Sequence, residues 1–412
     1  MKRNLLLIAT FITSGYISAQ VTETVSMGAG YANENYYTLN GGNEVSIDRS
    51  DWDLAFASDG VGFGSSTIRI NGAMGTELYK YNNNIGDWAT VDTTGFSWST
   101  NQLRNSDESW RTGAFENTTP ASSSDLGWGT YSTVTHIVVG DRIFVLKLAD
   151  ATYRKLIIEK LQSGVYTFKY ANLDGSNEVT TTVTKSNYSG KNFGYYSIQN
   201  NSALDREPVS TTWDLLFTKF QRGSDGYGVT GVLANVDVKV AKAYPVNDVN
   251  TASYTGQNYT FDIGTIGYDW KSFNMSTFQY DIEDSLVYFV EVRNQDVYRI
   301  IFTGFGGSSN GNFIFTKELV GNTVGIEDNT ITNQILSIYP NPTSTTVNLT
   351  FEGSENTQIA LFDVTGKQVF AKSNSNLGLN QETIDVSNFP KGMYFLTLTS
   401  ENNKSTQKVI IQ

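Results

Sequence analysis

The sequence predicts an all-β protein. It has two similar antiparallel β units, as separate domains or as one compact duplicated domain, and a small C-terminal immunoglobulin-like β-sandwich. Three observations carry this. Apolar and polar residues alternate with a period of two in many short runs, as on half-buried strands. The composition is that of a folded β protein, with 39% apolar and 13% aromatic residues, 37 Gly and 6 Pro in 412 residues. Five short blocks recur in the same order in two halves of the chain.

Taken in order, the start of the chain reads as an export signal. Lys2 and Arg3 supply positive charge, residues 5–12 are apolar, and Ile17-Ser18-Ala19 offers a small residue at a cleavage point. The signal peptide is placed at residues 1–19. Its apolar run is too short to cross a bilayer core of ~30 Å, and no later stretch reaches the ~20 apolar residues a membrane helix needs. No transmembrane segment is expected.

The first β unit is placed at residues 20–188 and the second at 189–321. Residues 35–39 (NYYTL) match 194–198 (GYYSI), and 52–56 (WDLAF) match 213–217 (WDLLF). Leu126-Gly127-Trp128 matches Ile266-Gly267-Tyr268. Residues 143–145 with Tyr153-Arg154 match 287–289 with Tyr298-Arg299, and 164–168 match 311–315. On a regular strand Trp52, Leu54 and Phe56 share one face, as do Trp213, Leu215 and Phe217, so each block drives three large groups into a core. The two Trp residues are expected at equivalent buried strand positions. Thr135 to Val139 reads as a strand start. Residues 322–335, rich in Gly, Asn, Thr and acidic side chains, are the expected linker.

Composition excludes much chemistry. There is no Cys, hence no disulfide, thiol nucleophile or thiolate metal site. A single His, His136, rules out multi-His metal centres within one chain. A net charge of -12 argues against nucleic acid and anionic membranes. No P-loop is present. The residues point to a non-enzymatic binding protein. A carboxylate-based glycosidase is the remaining catalytic alternative, since two acids suffice for that reaction. The acidic run Asp281 to Asp284 reads as a solvated turn, with a surface calcium site as the alternative.

Residues 336–412 alternate as a small antiparallel sandwich, with a hairpin turn at Thr365-Gly366-Lys367. They closely resemble the type A sorting domain of the type IX secretion system. The match lies in Tyr339, Pro340, Asn341 and Pro342 (YPNP), Gly366 and Lys367 (DVTGK), Gly392 and Tyr394 (GMYFL), and the basic-apolar ending at Lys408. The resemblance implies passage through the type IX machinery, removal of the domain by its sortase-like peptidase, and secretion or attachment to the outer cell surface.

Residues 31–321 are similar to the HmuY-like family of exported haem-binding proteins, in YYTLN, WDLAF, TIRINGA, the run from Gly140 to Leu161, and the second set GYYSI, TTWDLLF and GNFIF. That resemblance implies haem capture outside the cell. The best-known members hold the iron between two His side chains, and this chain departs from them in having only His136. Haem iron also accepts Met sulfur, which adds Met74 and Met275 as candidates. Aligned through Trp128 and Tyr268, Met275 falls opposite Thr135, next to His136. A second candidate surface is aromatic. Trp88, Trp98, Trp110 and Trp128 lie amid Asn, Ser, Thr and Gly, where loops present stacking surfaces for sugar rings or a porphyrin. Haem or a glycan is the expected ligand class, with a glycan-binding adhesin as the alternative to haem capture.

Overall fold

A computed structural model describes residues 19–61, 65–322, 335–353, 356–376, 378–399 and 404–412. The signal-peptide stretch 1–18 and the linker stretch 323–334 lie outside the described residues. The fold is all-β, and the one α-helix among the described residues is the single turn Trp98–Asn101.

Two large antiparallel sheets, of eight and five strands, share a matching run of five. One runs Val179–Thr184, Val165–Ala171, Tyr153–Gln162, Ile143–Lys147, Glu77–Asn82, with Gln102–Leu103 on its edge. The other runs Val21–Ser26, Asn312–Asn322, Asp296–Phe305, Val287–Glu291, Lys239–Ala243. The period of two is visible in both. Tyr166, Phe168 and Tyr170 are buried between half-buried neighbours, and so are Phe313 and Phe315. Burying each such ring contributes roughly 2–3 kcal/mol.

Two four-stranded sheets also match. One orders Ser202–Leu204, Phe193–Ser197, Leu54–Ala57, Ile68–Ile70; the other orders Glu44–Asp48, Asn33–Tyr37, Leu215–Gln221, Gly228–Ala234. Here the repeats interlock. The aromatic strand Asn33–Tyr37 of the first repeat pairs with Leu215–Gln221 of the second. Reciprocally, Phe193–Ser197 of the second pairs with Leu54–Ala57 of the first. One core consequently runs from Leu54 to Ile198, and the other joins Val25, Met27, Tyr37 and Leu39 to residues from Leu215 to Phe315.

The W-D blocks differ from the expected alternation, and in the same way in both repeats. Each Trp precedes its strand and lies on the opposite face from the Leu and Phe. Leu54 and Phe56 enter one core, whereas Trp52 packs with Ala55, Ala57 and Tyr195. Leu215 and Phe217 enter the other, whereas Trp213 packs with Leu216 and Tyr36. The cause is the Asp between them. Asp53 and Asp214 are turned inward, 3% and 7% exposed, to accept backbone N–H groups, which breaks the pleat one residue before the strand. Trp213 is buried at 2% exposure and Trp52 is only half-buried.

The C-terminal part is a seven-stranded antiparallel sandwich. Three strands (Ile335–Tyr339, Thr346–Gly353, Gly378–Asp385) face four (Gln368–Asn374, Thr357–Asp363, Gly392–Thr399, Lys404–Ile411). Both sheets supply its core, including Leu349, Phe351, Leu361, Leu396 and Val409.

Candidate binding surfaces

Two short hairpins carry the His and Met candidates. Gly129–Ser132 pairs with Ile137–Gly140, and Lys271–Asn274 pairs with Gln279–Ile282. A buried Trp precedes each: Trp128 and Trp270, 0% and 1% exposed. The structural partner of Trp128 is therefore Trp270, and not the Tyr268 of the sequence alignment. His136 is the last residue of its turn, not of a strand, with φ 56°, and its N–H donates to the Ser132 carbonyl at 2.8 Å. Phe278 is its counterpart, with φ 54° and an N–H to the Asn274 carbonyl at 2.9 Å.

Both tips expose apolar groups. Val134 is 88% exposed, Met275 72% and Phe278 73%. His136 is exposed, and its Nδ1 lies 2.8 Å from the Tyr131 hydroxyl, so Nε2 is the nitrogen that faces outward chemistry. Met275 and His136 thus occupy corresponding hairpins, at the first and last turn positions. Met74 is elsewhere, half-buried in the turn Gly72–Met74.

The four Trp residues do not form one platform. Trp128 is in a core, its indole N–H donating to the Ser66 carbonyl at 3.0 Å. Trp110 is half-buried, donates to the Ala234 carbonyl at 2.8 Å and lies under Arg69. Trp88 donates to Glu178 at 2.7 Å and sits beneath the ammonium groups of Lys155 and Lys169. Trp98 clusters with Tyr79, Phe96 and Tyr153.

A cleft lies between the two four-stranded sheets, and the sequence reading missed it. Its walls include Trp52, Trp110, Trp213, Tyr36 and Tyr195, and its cavity volume is about 80 Å³. Beneath it runs a buried charge network. Arg206 pairs with Glu34, lies 2.9 Å from Asp51, and stacks on Tyr195. Glu207 accepts the Asn192 N–H and the Tyr195 hydroxyl, each at 2.8 Å. Burial pushes the Glu207 carboxyl up to about 8. Arg69 donates to the carbonyls of Ser106, Ser109 and Thr112, and burial pulls its guanidinium down to about 10. These charges are scattered from residue 34 to residue 207, so no local motif marks them.

In the C-terminal sandwich, the sorting residues are tied to one another. Asn341 donates to the Lys408 carbonyl at 2.8 Å and accepts the Ile410 N–H at 2.9 Å. The Y-P-N-P segment, with Tyr339, Pro340 and Pro342, is thereby fastened to the last strand. Gly366 takes φ 84° in the turn whose Asp363 carboxylate accepts the N–H groups of Thr365 and Lys367. Gly392 begins the strand of Tyr394, which is 4% exposed and donates to the Pro390 carbonyl at 2.6 Å.

Residues 337–412 match the secretion system C-terminal sorting domain. The chain is exported by the type IX secretion system to the cell surface or the exterior. No curated protein matches the chain. A solved structure described as the BSP domain of a biofilm associated protein aligns with 8% identity and a TM-score of 0.16, over 98% of this chain and 68% of that one. A likeness at that score carries no argument about fold or function. Among the described residues, no helix is long and apolar enough to cross a membrane.

Proposed function

We propose that the exported cargo is a non-enzymatic binding protein that captures a flat, largely apolar ligand outside the cell, haem first. The observation that carries this is the pair of matching hairpin tips. One presents an imidazole whose Nε2 faces outward, the other a thioether, and both present exposed apolar side chains. Imidazole nitrogen and Met sulfur both ligate haem iron, and apolar contact suits a porphyrin face. The motifs YYTLN, WDLAF and TIRINGA, read above as similar to the HmuY-like family, are the reason haem is put first. With one His in the chain, iron would be held by His and Met, by a single ligand, or between two chains.

Titrating haemin into the purified cargo and following visible absorbance tests this. A Soret shift that saturates supports the reading. No shift overturns it, and retention on polysaccharide would then assign a glycan ligand.

A further inference from the structure

We propose that the cleft between the two four-stranded sheets binds a small organic carboxylate, held by Arg49 and Lys219. This site is separate from the hairpin tips and does not rest on the haem reading.

Both cations line the cleft. Arg49 is 8% exposed. Its Nε donates to the Tyr31 carbonyl, and its Nη1 has no hydrogen-bond partner. Lys219 is half-buried, and its ammonium has no acceptor among the described residues. Burial and then the charge of Arg49 both act against the charged form of Lys219, so the two cations are close enough to repel. The acids around them bond to other groups, although Glu34 and Asp48 also act on Arg49. Glu34 and Asp51 serve Arg206, and Asp48 accepts from Ser50. Burial raises the Glu207 carboxyl, and both its oxygens accept from Asn192 and Tyr195. Asp107 acts on Arg69.

A second, independent observation points the same way. Trp52 and Trp213 line the cleft, their buried indole N–H groups have no acceptor, and Trp213 is 2% exposed. Unpaired buried donors and like charges cost stability. A bound anion offsets the repulsion between the two cations and offers an acceptor beside these donors. The cavity of about 80 Å³ is below the roughly 300 Å³ where drug-sized pockets begin, so the ligand has few carbons. Trp52, Ala73, Trp110 and Phe220 give apolar walls for a short tail, which favours a carboxylate over inorganic phosphate.

The test uses the folded cargo with propionate, butyrate, propionamide and inorganic phosphate, read by thermal melting and tryptophan fluorescence. Propionate and butyrate should raise the melting temperature and change the emission, and propionamide should do neither. Arg49→Met and Lys219→Met should each weaken binding by roughly tenfold or more, as expected on losing a charged hydrogen bond, while Lys219→Arg retains it. Without ligand, Lys219→Met should melt higher than wild type, which shows that its fold is intact. The proposal is overturned by no response to either carboxylate, by an equal response to propionamide, by a response to phosphate alone, or by Lys219→Met binding as tightly as wild type.

Discussion

Asp53 accepts the backbone N–H of Ile198 at 2.8 Å, and Asp214 accepts that of Leu39 at the same distance. Leu39 and Ile198 are the same position in the two repeats, so each aspartate holds the end of the other repeat's aromatic strand. These two bonds close the strand exchange that joins the cores. Asp53→Ala and Asp214→Ala should each cost about 1–3 kcal/mol, because a buried N–H loses its acceptor. Asn at either position keeps an oxygen and should cost less. Chemical denaturation checks both, and two well-separated unfolding transitions within residues 20–321 would contradict the interlock.

Trp213 and Tyr36 meet edge to face at 5.0 Å, and Trp52 repeats this with Tyr195 at 5.0 Å. Trp213 is the more buried of the pair, so Trp213→Ala should cost about 3–5 kcal/mol and Trp52→Ala distinctly less. Equal losses in a denaturation series would contradict this.

Glu207 makes stability fall as pH rises. Burial raises its folded-state carboxyl from 4.5 to about 8, so the folded chain keeps a proton that the unfolded chain has released. The stabilising contribution is full below about 4.5 and is lost as pH rises through about 8. Glu116 is raised to about 8 by the same burial and adds to the trend. Glu207→Gln should flatten the decline in melting temperature across this window, and an unchanged pH profile would refute the assignment.

Asn341 clamps the Y-P-N-P segment onto the last strand, so the sorting signal is one folded unit, not a linear tail. Deleting residues 336–412 should hold the cargo in the periplasm, and the exported product should lack these residues. Fractionation and mass spectrometry of the secreted chain measure both, and normal extracellular amounts of the deleted form would contradict the assignment.

The all-β class, the repeat and the sorting residues were legible in the sequence because each leaves a local mark. Tyr166, Phe168 and Tyr170 alternate, the W-D blocks recur, and Asn341 sits in a short motif. What was not legible depends on pairing between distant segments. Nothing near Trp52 says that Asp53 will turn inward to reach Ile198, and that turn moves the indole to the other face. The hairpin tips lack Gly and Asn-Gly turns, so His136 read as a strand start. Trp128 aligned with Tyr268 by local similarity, although the hairpin register pairs it with Trp270. The cleft brings Arg49, Trp52 and Lys219 together only after the two repeats exchange strands.

The measurement that bears most directly on the function is the haemin spectrum of the cargo compared with His136→Ala and Met275→Ala. Both residues are exposed on hairpin turns, so their removal should leave the cores intact and lower melting only slightly. The account predicts a Soret shift in wild type that is lost or altered in His136→Ala and altered in Met275→Ala. A wild-type shift that persists unchanged in both variants would contradict capture at the hairpin tips.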